Sequence, residues 1–387
     1  MQGDYATMRL VIKKSELLHA LQSVQRAVPT RTTKMVLYGI LFKADNDKLE
    51  ISAYDMELGI RTFISSTPDK EENPLQIEEP GEIVLNARYV IEIVKKLPQP
   101  LVRIDVQELT TILHSGNATY TLNGMDPREY PVLPEIEQEN GLMLHADTLK
   151  MLIDHTVFAV SISEIRPTLT GVLMKYDEGT ISFSATDSHR LATHTIEVDV
   201  SKDYAKIETI IPGKSLIELN KILPDNDSLI NLHLDQNQLL ISFENTFFYS
   251  RLVEGNYPDV SRIIPTSFRT TIQLDRKNLI ECVERAALLA KDNDNQVIRI
   301  QLKPSFIEVT SNSIEIGKIT ETIEPESFVG ENMLIGCNAK FLIEALRALN
   351  ETKIKINFTG IGSAFVLNEI NNDQHIHLIL PVRTGNV

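Results

Sequence analysis

The sequence predicts an α+β protein made of three tandem copies of one domain, each with two helices packed on antiparallel sheets. Its 387 residues exceed the length that a single hydrophobic core usually supports. A strand followed by a polar turn recurs at residues 50–59, 181–192 and 308–317. A helix with one charge pattern recurs every 126 residues, since 214 − 88 and 340 − 214 both equal 126. This repeat length indicates a duplicated domain, because solenoid units have only about 20–50 residues.

Composition and charge place the chain among ordinary globular proteins, with 42% hydrophobic and 24% charged residues. No apolar run reaches roughly eighteen residues, and the N-terminus lacks a basic segment followed by an apolar core, so we expect neither a membrane span nor a signal peptide. The expected location is the cytoplasm, where Cys282 and Cys337 would stay reduced in the core. The net charge of −15 argues against a surface that is basic all over but is compatible with a local basic face.

Each copy begins with a strand that leads into a helix. The strands are predicted at Leu10–Ile12, Met143–Leu144 and Ile272–Leu274. Apolar residues at helical spacing follow each strand and give each helix one buried face. These residues are Leu17, Leu21, Val24 and Val28 in the first copy, Leu149, Leu152, Ile153, Thr156, Val157 and Val160 in the second, and Leu279, Val283, Ala286, Ala287 and Ala290 in the third.

The recurring central strand is clearest in the middle copy. Ile181, Phe183 and Ala185 alternate with polar neighbours, which is typical of a strand with one buried face. The polar turn after this strand contains His189 and Arg190. Two further strands close each copy, at 101–105 with 110–115, 229–234 with 238–243, and 353–358 with 364–367.

A second helix in each copy has the tightest correspondence in the chain. Arg88, Lys214 and Lys340 occupy equivalent positions. The same offsets relate Glu92, Glu218 and Glu344, and also Lys95, Lys221 and Arg347. At about 100° per residue these positions share one face, opposite the apolar residues, so we predict an exposed basic–acidic–basic stripe. A solvated helix face is the ordinary interpretation, but stripes that face a common axis would form a basic surface for a polyanion, without base-specific contacts.

A proline after an apolar residue marks the end of each copy, at Tyr130-Pro131, Tyr257-Pro258 and Leu380-Pro381. Polar, acidic stretches join the copies. We therefore expect domains at residues 8–136, 139–267 and 268–387, with residues 1–7 as an extension or a tag remnant.

A nucleotide site is not expected, although Pro212–Ser215 looks like the end of a phosphate-binding loop. That loop requires a glycine five positions before its Gly-Lys pair, and position 208 is a glutamate. The equivalent segments Asn86–Arg88 and Asn338–Lys340 are predicted helix starts.

Two other patterns suggest chemistry only weakly. Asp187, Ser188 and His189 contain the residue types of a nucleophilic triad, but neighbouring side chains on a strand or turn point in different directions. His375 and His377 share one strand face, as in some metal sites. No Cys, Asp or Glu cluster with ligand spacing accompanies them, so we expect exposed strand histidines, no metal and no catalytic residue.

From Met8 to Arg383 the chain resembles the bacterial β sliding clamp family, the processivity subunit of the replicative DNA polymerase (DNA polymerase III subunit beta). The resemblance is carried by Ala185–Ala192, Gly255–Asp259 and Ile379–Arg383. It implies a non-enzymatic DNA polymerase processivity factor without a cofactor, made of three clamp domains. It also implies a head-to-tail homodimer, a ring of pseudo-sixfold symmetry around double-stranded DNA of any sequence, associated with the nucleoid and not with a membrane.

The resemblance further implies a cleft between the second and third domains, where the replicative polymerase, the clamp loader and repair proteins insert short linear motifs. Its leucines, prolines and Val382 suit an apolar slot, and Arg190, Arg262 and Arg383 are expected to supply donors at the rim. The residues carried over are Leu169, Thr186, Ser188, His189, Arg190, Leu191, Pro258, Arg262, Ile263, Leu378, Ile379, Leu380, Pro381, Val382 and Arg383.

Two more sets of residues are implied by the resemblance and the internal repeat. The DNA-facing set is Arg31, Arg88, Arg166, Lys214 and Lys340, and the dimer contacts are Tyr120 and Leu122 on the first domain with Leu288 and Leu289 on the third. Thr33–Leu37 departs from the family because it lacks an expected proline, and Ser188 stands where some members have glycine. The alternative is a diverged monomeric scaffold that binds DNA or peptides. Whether this is the main clamp or a second, diverged copy stays open.

Overall fold

The structure, a computed structural model, describes residues 7–66, 73–135, 141–198, 205–235, 237–290, 296–313 and 315–382. Most of the 1–7 extension and Arg383 lie outside the described residues. The chain forms two compact units, one from Met1–Asp147 with Glu218–Leu252 and the other from Thr148–Ile217 with Val253–Val387.

Within the described residues, six α-helices occur at the predicted places, two in each repeat. They are α1 Lys14–Val24, α2 Ala87–Lys96, α3 Ala146–Asp154, α4 Gly213–Asn220, α5 Arg276–Ala290 and α6 Ala339–Ala348. Two predicted helices were too long, because Val28 lies beyond α1, and Thr156, Val157 and Val160 lie beyond α3. The β-branched Thr156 donates its hydroxyl to the Leu152 carbonyl at 2.6 Å, a local bond that competes with continuation of the helix.

Strands form most of the remaining structure. In the first repeat they are β1 Thr7–Lys13, β2 Gly39–Ala44, β3 Lys48–Tyr54, β4 Leu58–Ser65, β5 Leu75–Glu79, β6 Gly81–Asn86, β7 Leu101–Gln107, β8 Thr110–Ser115 and β9 Ala118–Asn123. In the second they are β10 Leu142–His145, β11 Gly171–Asp177, β12 Thr180–Thr186, β13 Arg190–Glu197, β14 Ile207–Pro212, β15 Leu229–Asp235, β16 Gln238–Phe243 and β17 Thr246–Arg251. In the third they are β18 Thr270–Asp275, β19 Val297–Lys303, β20 Phe306–Ser313, β21 Gly317–Ile323, β22 Ser327–Gly330, β23 Met333–Asn338, β24 Lys353–Phe358, β25 Phe365–Glu369 and β26 Asn372–Ile379.

Four antiparallel sheets contain these strands. The first compact unit holds a five-stranded sheet, β5-β1-β7-β8-β9, and an eight-stranded sheet, β10-β15-β16-β17-β4-β3-β2-β6. The second holds a nine-stranded sheet, β14-β11-β12-β13-β26-β25-β24-β18-β22, and a four-stranded sheet, β21-β20-β19-β23. The α+β class and the antiparallel sheets predicted from the sequence are thus confirmed.

Two of the sheets each join two repeats. In the eight-stranded sheet, β17 of the second repeat pairs with β4 of the first, with Phe248 opposite Ile60. In the nine-stranded sheet, β26 of the third repeat pairs with β13 of the second, with Leu378 opposite Leu191. Because these sheets cross the repeat boundaries, the strands of the second repeat are divided between the two compact units.

The second helix of each repeat has the predicted two faces. In α2, Val90 and Val94 are buried, whereas Arg88, Glu92 and Lys95 are exposed. Opposite charges lie close together within the other two stripes. Glu218 pairs with Lys221 at 2.7 Å, and Glu344 lies 3.9 Å from Lys340.

The two cysteines lie in the core, as the sequence predicted. Cys282 and Cys337 are free thiols with no exposed surface. Burial raises the pKa of each thiol to about 12, so neither forms a thiolate near neutral pH. In the part of the chain that the structure describes, no helix combines the length and the apolar character that crossing a membrane requires.

Candidate partner-binding cleft

A tight turn between β12 and β13 shapes one wall of the candidate site. Asp187 Oδ1 accepts the backbone N–H groups of His189 and Arg190, at 2.9 and 3.1 Å. Ser188 has φ 77°, a left-handed conformation that glycine adopts with least strain. An aspartate that accepts bonds from the following backbone is a common cause of such a turn.

A half-buried tyrosine holds the strand that precedes the turn. Tyr257 Oη accepts the backbone N–H of Thr186 at 3.0 Å. Burial raises the pKa of Tyr257 to about 12, so its hydroxyl stays protonated at neutral pH. The strand end is therefore held by a side chain from a distant part of the chain.

The first repeat contains the same arrangement. Asp55 Oδ1 accepts the N–H groups of Glu57 and Leu58, at 3.0 and 2.6 Å. Met56 has φ 80°, and Tyr130 Oη accepts the N–H of Tyr54 at 3.0 Å. The repeat that the sequence predicted thus extends to individual hydrogen bonds.

The turn of the second repeat borders a cavity of about 300 Å³ in the second compact unit. Its walls are mainly apolar with a few polar groups, which is the usual composition of a ligand pocket. It brings together nine of the predicted cleft residues: Leu169, Thr186, Ser188, His189, Arg190, Pro258, Ile263, Leu378 and Leu380.

Four residues not predicted for the cleft also line the cavity. They are Arg166, Asp259, Val260 and Ala364. Asp259 and Val260 follow Pro258 directly, so their position in the chain was an available signal. Arg166 was predicted to face DNA, but its Nη1 lies 3.4 Å from the Ser188 hydroxyl, to which it donates.

Some predicted cleft residues do not line the cavity. Leu191 and Ile379 are each 1% exposed and belong to the core. Arg262 is outside the lining and forms an ion pair with Asp259 at 2.8 Å. Pro381 and Val382 are also absent from the lining, and Arg383 lies outside the described residues.

Arg190, predicted to supply a donor at the rim of the cleft, is a buried arginine in the cavity lining. It is only 7% exposed. Its guanidinium forms ion pairs with Asp187 and Glu344 and donates to the Phe158 carbonyl at 2.5 Å. It also lies over the Phe341 ring, 4.3 Å from the centroid. These contacts engage all three of its nitrogens and hold the floor of the cleft to α6.

The triad residue types do not form a triad. The Asp187 carboxylate is used by two backbone N–H groups and by Arg190 Nε at 3.0 Å. An aspartate that orients a catalytic histidine would instead accept from an imidazole N–H. Nucleophilic catalysis by Ser188 therefore has no support from this geometry.

The prediction of exposed strand histidines was also wrong. His375 and His377 are 0% and 1% exposed on β26. Two histidines from the second repeat, His155 and His194, stack against His375 with centroids 4.1 and 4.5 Å away. The sequence showed only the pair on one strand, because the other two rings come from positions about 180 and 220 residues earlier.

The residues predicted to face DNA or to form the dimer lie at the surface. Arg31, Arg88, Arg166, Lys214 and Lys340 are all exposed. Tyr120 is 37% exposed on β9, and Leu288 is 61% exposed near the end of α5. Leu122 and Leu289 are half-buried.

Replacing Tyr257 by phenylalanine should lower the free energy of unfolding by about 1–3 kcal/mol, because the Thr186 N–H loses its acceptor in a buried place. Thermal unfolding followed by circular dichroism checks this. Tyr130→Phe is the matched variant in the first repeat and should have a similar cost. A Tyr257→Phe protein as stable as the parent would show that the hydroxyl does not hold the strand.

Comparison with known proteins agrees with this fold along nearly the whole chain. Three family descriptions match it: the DNA polymerase III beta subunit N-terminal domain at residues 8–134, the central domain at 143–259 and the C-terminal domain at 261–383. The beta sliding clamp of Bacillus subtilis (strain 168) is 42% identical over 97% of this chain and 100% of its own length. That of Halalkalibacterium halodurans is 40% identical with the same coverage.

The solved structures agree with the sequences. The crystal structure of the DNA polymerase sliding clamp from Bacillus subtilis matches with a TM-score of 0.93 and 41% identity, over 97% of this chain and 99% of that one. A sliding clamp from Pseudomonas aeruginosa, solved bound to griselimycin, matches with a TM-score of 0.89 and 27% identity, over 97% of this chain and 100% of that one. The chain therefore belongs to the DNA polymerase III beta subunit family, the beta sliding clamps.

Proposed function

We propose that two copies of this chain close head to tail into a ring that encircles duplex DNA and acts as a non-enzymatic processivity factor. The observation that supports ring closure is the pattern of strand pairing between repeats. β17, the last strand of the second repeat, pairs with β4 of the first. β26, the last strand of the third, pairs with β13, which occupies the place of β4 in the second. In both cases the last strand of one repeat pairs with the fourth strand of the repeat before it. By the same rule β9, the last strand of the first repeat, should pair with β21, the fourth strand of the third repeat.

Within one chain both strands are sheet edges. β9 ends the five-stranded sheet and β21 ends the four-stranded one. Edge strands present unpaired backbone groups that another chain can satisfy. Pairing β9 of one copy with β21 of another joins unlike surfaces, and two such contacts close a dimer. Tyr120 and Leu122 on the first edge, with Leu288 and Leu289 beside the second, provide apolar side chains for this contact.

The basic helix stripes provide the inner surface of the proposed ring. Arg88, Lys214 and Lys340 each begin the second helix of a repeat, and Arg31 and Arg166 belong to the same set. Acidic neighbours weaken these charges, which suits a ring that slides, because tight phosphate contacts would slow it. The net charge of −15 repels DNA from the rest of the surface and favours the ring interior. Such a ring acts in the cytoplasm, on the nucleoid.

The cleft of the second compact unit is the proposed docking place for the replicative polymerase, the clamp loader and repair proteins. Its apolar walls fit the hydrophobic side chains of a short linear motif, and its polar edge fits the peptide backbone. The three clamp domains of this proposal span residues 8–136, 139–267 and 268–387.

Retention on DNA tests the ring directly. Protein loaded on circular duplex DNA should stay bound in high salt, because it is held topologically, and should leave once the circle is cut. Sedimentation of the free protein should give a mass near two chains of 43.6 kDa. Loss from intact circles in high salt would show ordinary electrostatic binding, whose affinity falls steeply with salt.

A dimer variant provides the control. Leu288→Asp with Leu289→Asp should sediment as a single chain and should not survive salt on circular DNA. Ile361→Asp, a change at an apolar residue that is 75% exposed, should behave as the parent does. A parent protein that sediments as one chain would favour the monomeric scaffold.

A further inference from the structure

Four of the nine histidines gather in one buried cluster of the second compact unit. His155 follows α3 and His194 lies on β13, both in the second repeat. His375 and His377 lie on β26 of the third repeat, and His375 is the strand partner of His194. The exposed fractions of the four residues run from 0% to 5%. The cluster therefore lies where the sheets of two repeats join.

In the described part of the chain, two of the four histidines lack hydrogen-bond partners for their ring nitrogens, whereas His155 Nδ1 lies 2.9 Å from His194 Nδ1 and His155 Nε2 lies 3.1 Å from Asn350 Nδ2. Among the described residues, none of the four nitrogens of His375 and His377 has a hydrogen-bond partner. Leaving buried polar atoms unpaired is costly, so native structures rarely do so. The stacked faces of His155, His194 and His375 have centroids 4.1–4.9 Å apart, which leaves no room for a water molecule between the rings.

A proton is not the missing partner. Burial lowers the pKa of all four imidazoles, to about 4 for His194 and about 3 for His377. The rings are therefore neutral at physiological pH. Neutral imidazole is the state that binds metal ions, through the nitrogen lone pair.

A buried carboxylate next to the cluster also lacks a cation. Glu369 is 6% exposed, and its Oε1 lies 3.8 Å from His375 Nδ1. It accepts the backbone N–H of Asn350 at 2.8 Å, but no described lysine or arginine lies within ion-pair distance of it. A buried carboxylate is stable when a positive charge compensates it. One cation at the histidines would compensate the carboxylate and pair with one of the unpaired nitrogens of His375.

The spacing of the nitrogens fits a small ion. One ligand nitrogen from each of His155, His194 and His375 lies within 4.8 Å of the other two. His155 Nδ1 and His194 Nδ1 are already only 2.9 Å apart. A zinc ion bound at about 2.0–2.1 Å in tetrahedral geometry sets its ligand nitrogens roughly 3.3 Å apart. Because each metal–nitrogen bond lies in the plane of its imidazole, the stacked rings must also turn toward one another to bind one ion, and rotation about their soft Cβ–Cγ torsions permits this.

We propose that His155, His194 and His375 bind one divalent transition-metal ion, with Glu369 holding His375 and balancing the charge. Imidazole ligands favour Zn²⁺, Co²⁺, Ni²⁺ or Cu²⁺ over Mg²⁺ and Ca²⁺, and a carboxylate that orients a ligand histidine is usual in such sites. Because its ligands come from two repeats, the ion cross-links the β13–β26 junction. That junction leads directly to Leu378 and Leu380 of the cleft.

Titration of the full-length chain with Co²⁺, after removal of metals by a chelator, tests the proposal. We expect one Co²⁺ per chain, with ligand-field absorption in the visible range, and displacement of the Co²⁺ by Zn²⁺. Metal content is measured by mass spectrometry. At a hundredfold excess over the Kd, Zn²⁺ should raise the midpoint of thermal unfolding by about 5 °C.

Two variants locate the site. His375→Phe keeps a buried aromatic ring but removes both nitrogens, and should lower the affinity for Co²⁺ by about 100-fold or more. His19→Asn changes an exposed histidine on α1 and should bind Co²⁺ as the parent does. Equal binding by His375→Phe and the parent would overturn the assignment. So would a parent chain that takes up no stoichiometric metal and shows no change in its unfolding midpoint, a result that does not depend on how any variant folds.

Discussion

Replacing Leu380 by aspartate should weaken binding of a peptide with a polymerase-type clamp motif by about 100-fold or more, equivalent to roughly 3 kcal/mol. Leu380 is 42% exposed and forms part of the cavity wall, so a bound side chain can cover it. Burying one leucine against a ligand is worth about 1.5–3 kcal/mol. Aspartate loses this contribution and also places a charge where the peptide would remove water. Calorimetric titration measures the change.

The structure offers a matched control for this change. Ile361 is 75% exposed in the same compact unit but does not line the cavity. Ile361→Asp makes the same chemical change and should leave peptide affinity within about twofold, like surface changes away from a site. Sedimentation of Leu380→Asp as a dimer separates a lost cleft from a lost ring. If both aspartate variants bound the peptide equally well, the cleft would lie elsewhere.

Removing the buried guanidinium of Arg190 should lower the free energy of unfolding by about 3–5 kcal/mol, the usual cost of breaking a buried ion pair from one side. In Arg190→Ala the carboxylates of Asp187 and Glu344 lose a shared cation, and the Phe158 carbonyl loses its donor. The side chains of Asp187 and Glu344 are 15% and 28% exposed, so water replaces these contacts only partly. Since the chain has no tryptophan, circular dichroism in a urea titration is a suitable measurement.

Arg262→Ala tests whether burial causes this effect. Arg262 also pairs with an aspartate, Asp259 at 2.8 Å, but its side chain is 85% exposed. An exposed pair contributes about 0–1 kcal/mol, so this variant should unfold almost as the parent does. If the two variants lost similar amounts of unfolding free energy, burial of Arg190 would not be the cause of its effect.

The sequence predicted the helices and the central strands well, because their signals are local. The buried face of α2 and the alternation of Ile181 and Phe183 depend only on neighbouring residues. Where a side chain bonded to a nearby backbone carbonyl, the predicted helix length was wrong. The end of α3 is one case, since the hydroxyl of Thr156 bonds to the Leu152 carbonyl where a longer helix was expected.

The cleft also shows where prediction from local sequence signals fails. Leu378 and Leu380 were predicted to line it and do so, whereas Ile379, between them, points into the core. Alternation along a strand explains that difference after the strand is known. The burial of Arg190 could not be predicted from its residue type, because an arginine at a rim and an arginine buried between carboxylates look alike in a sequence. Its two acidic partners are 3 and 154 residues away.

The sequence by itself determined that this chain is a threefold duplication with amphipathic helices, since repeats and periodicity are properties of residue order. Only the tertiary structure decided which strands join across repeats, which arginine is buried, and that four histidines share one site. Those outcomes depend on contacts between residues far apart in the chain, and the free energy of such contacts comes from burial and pairing that residue order alone does not express.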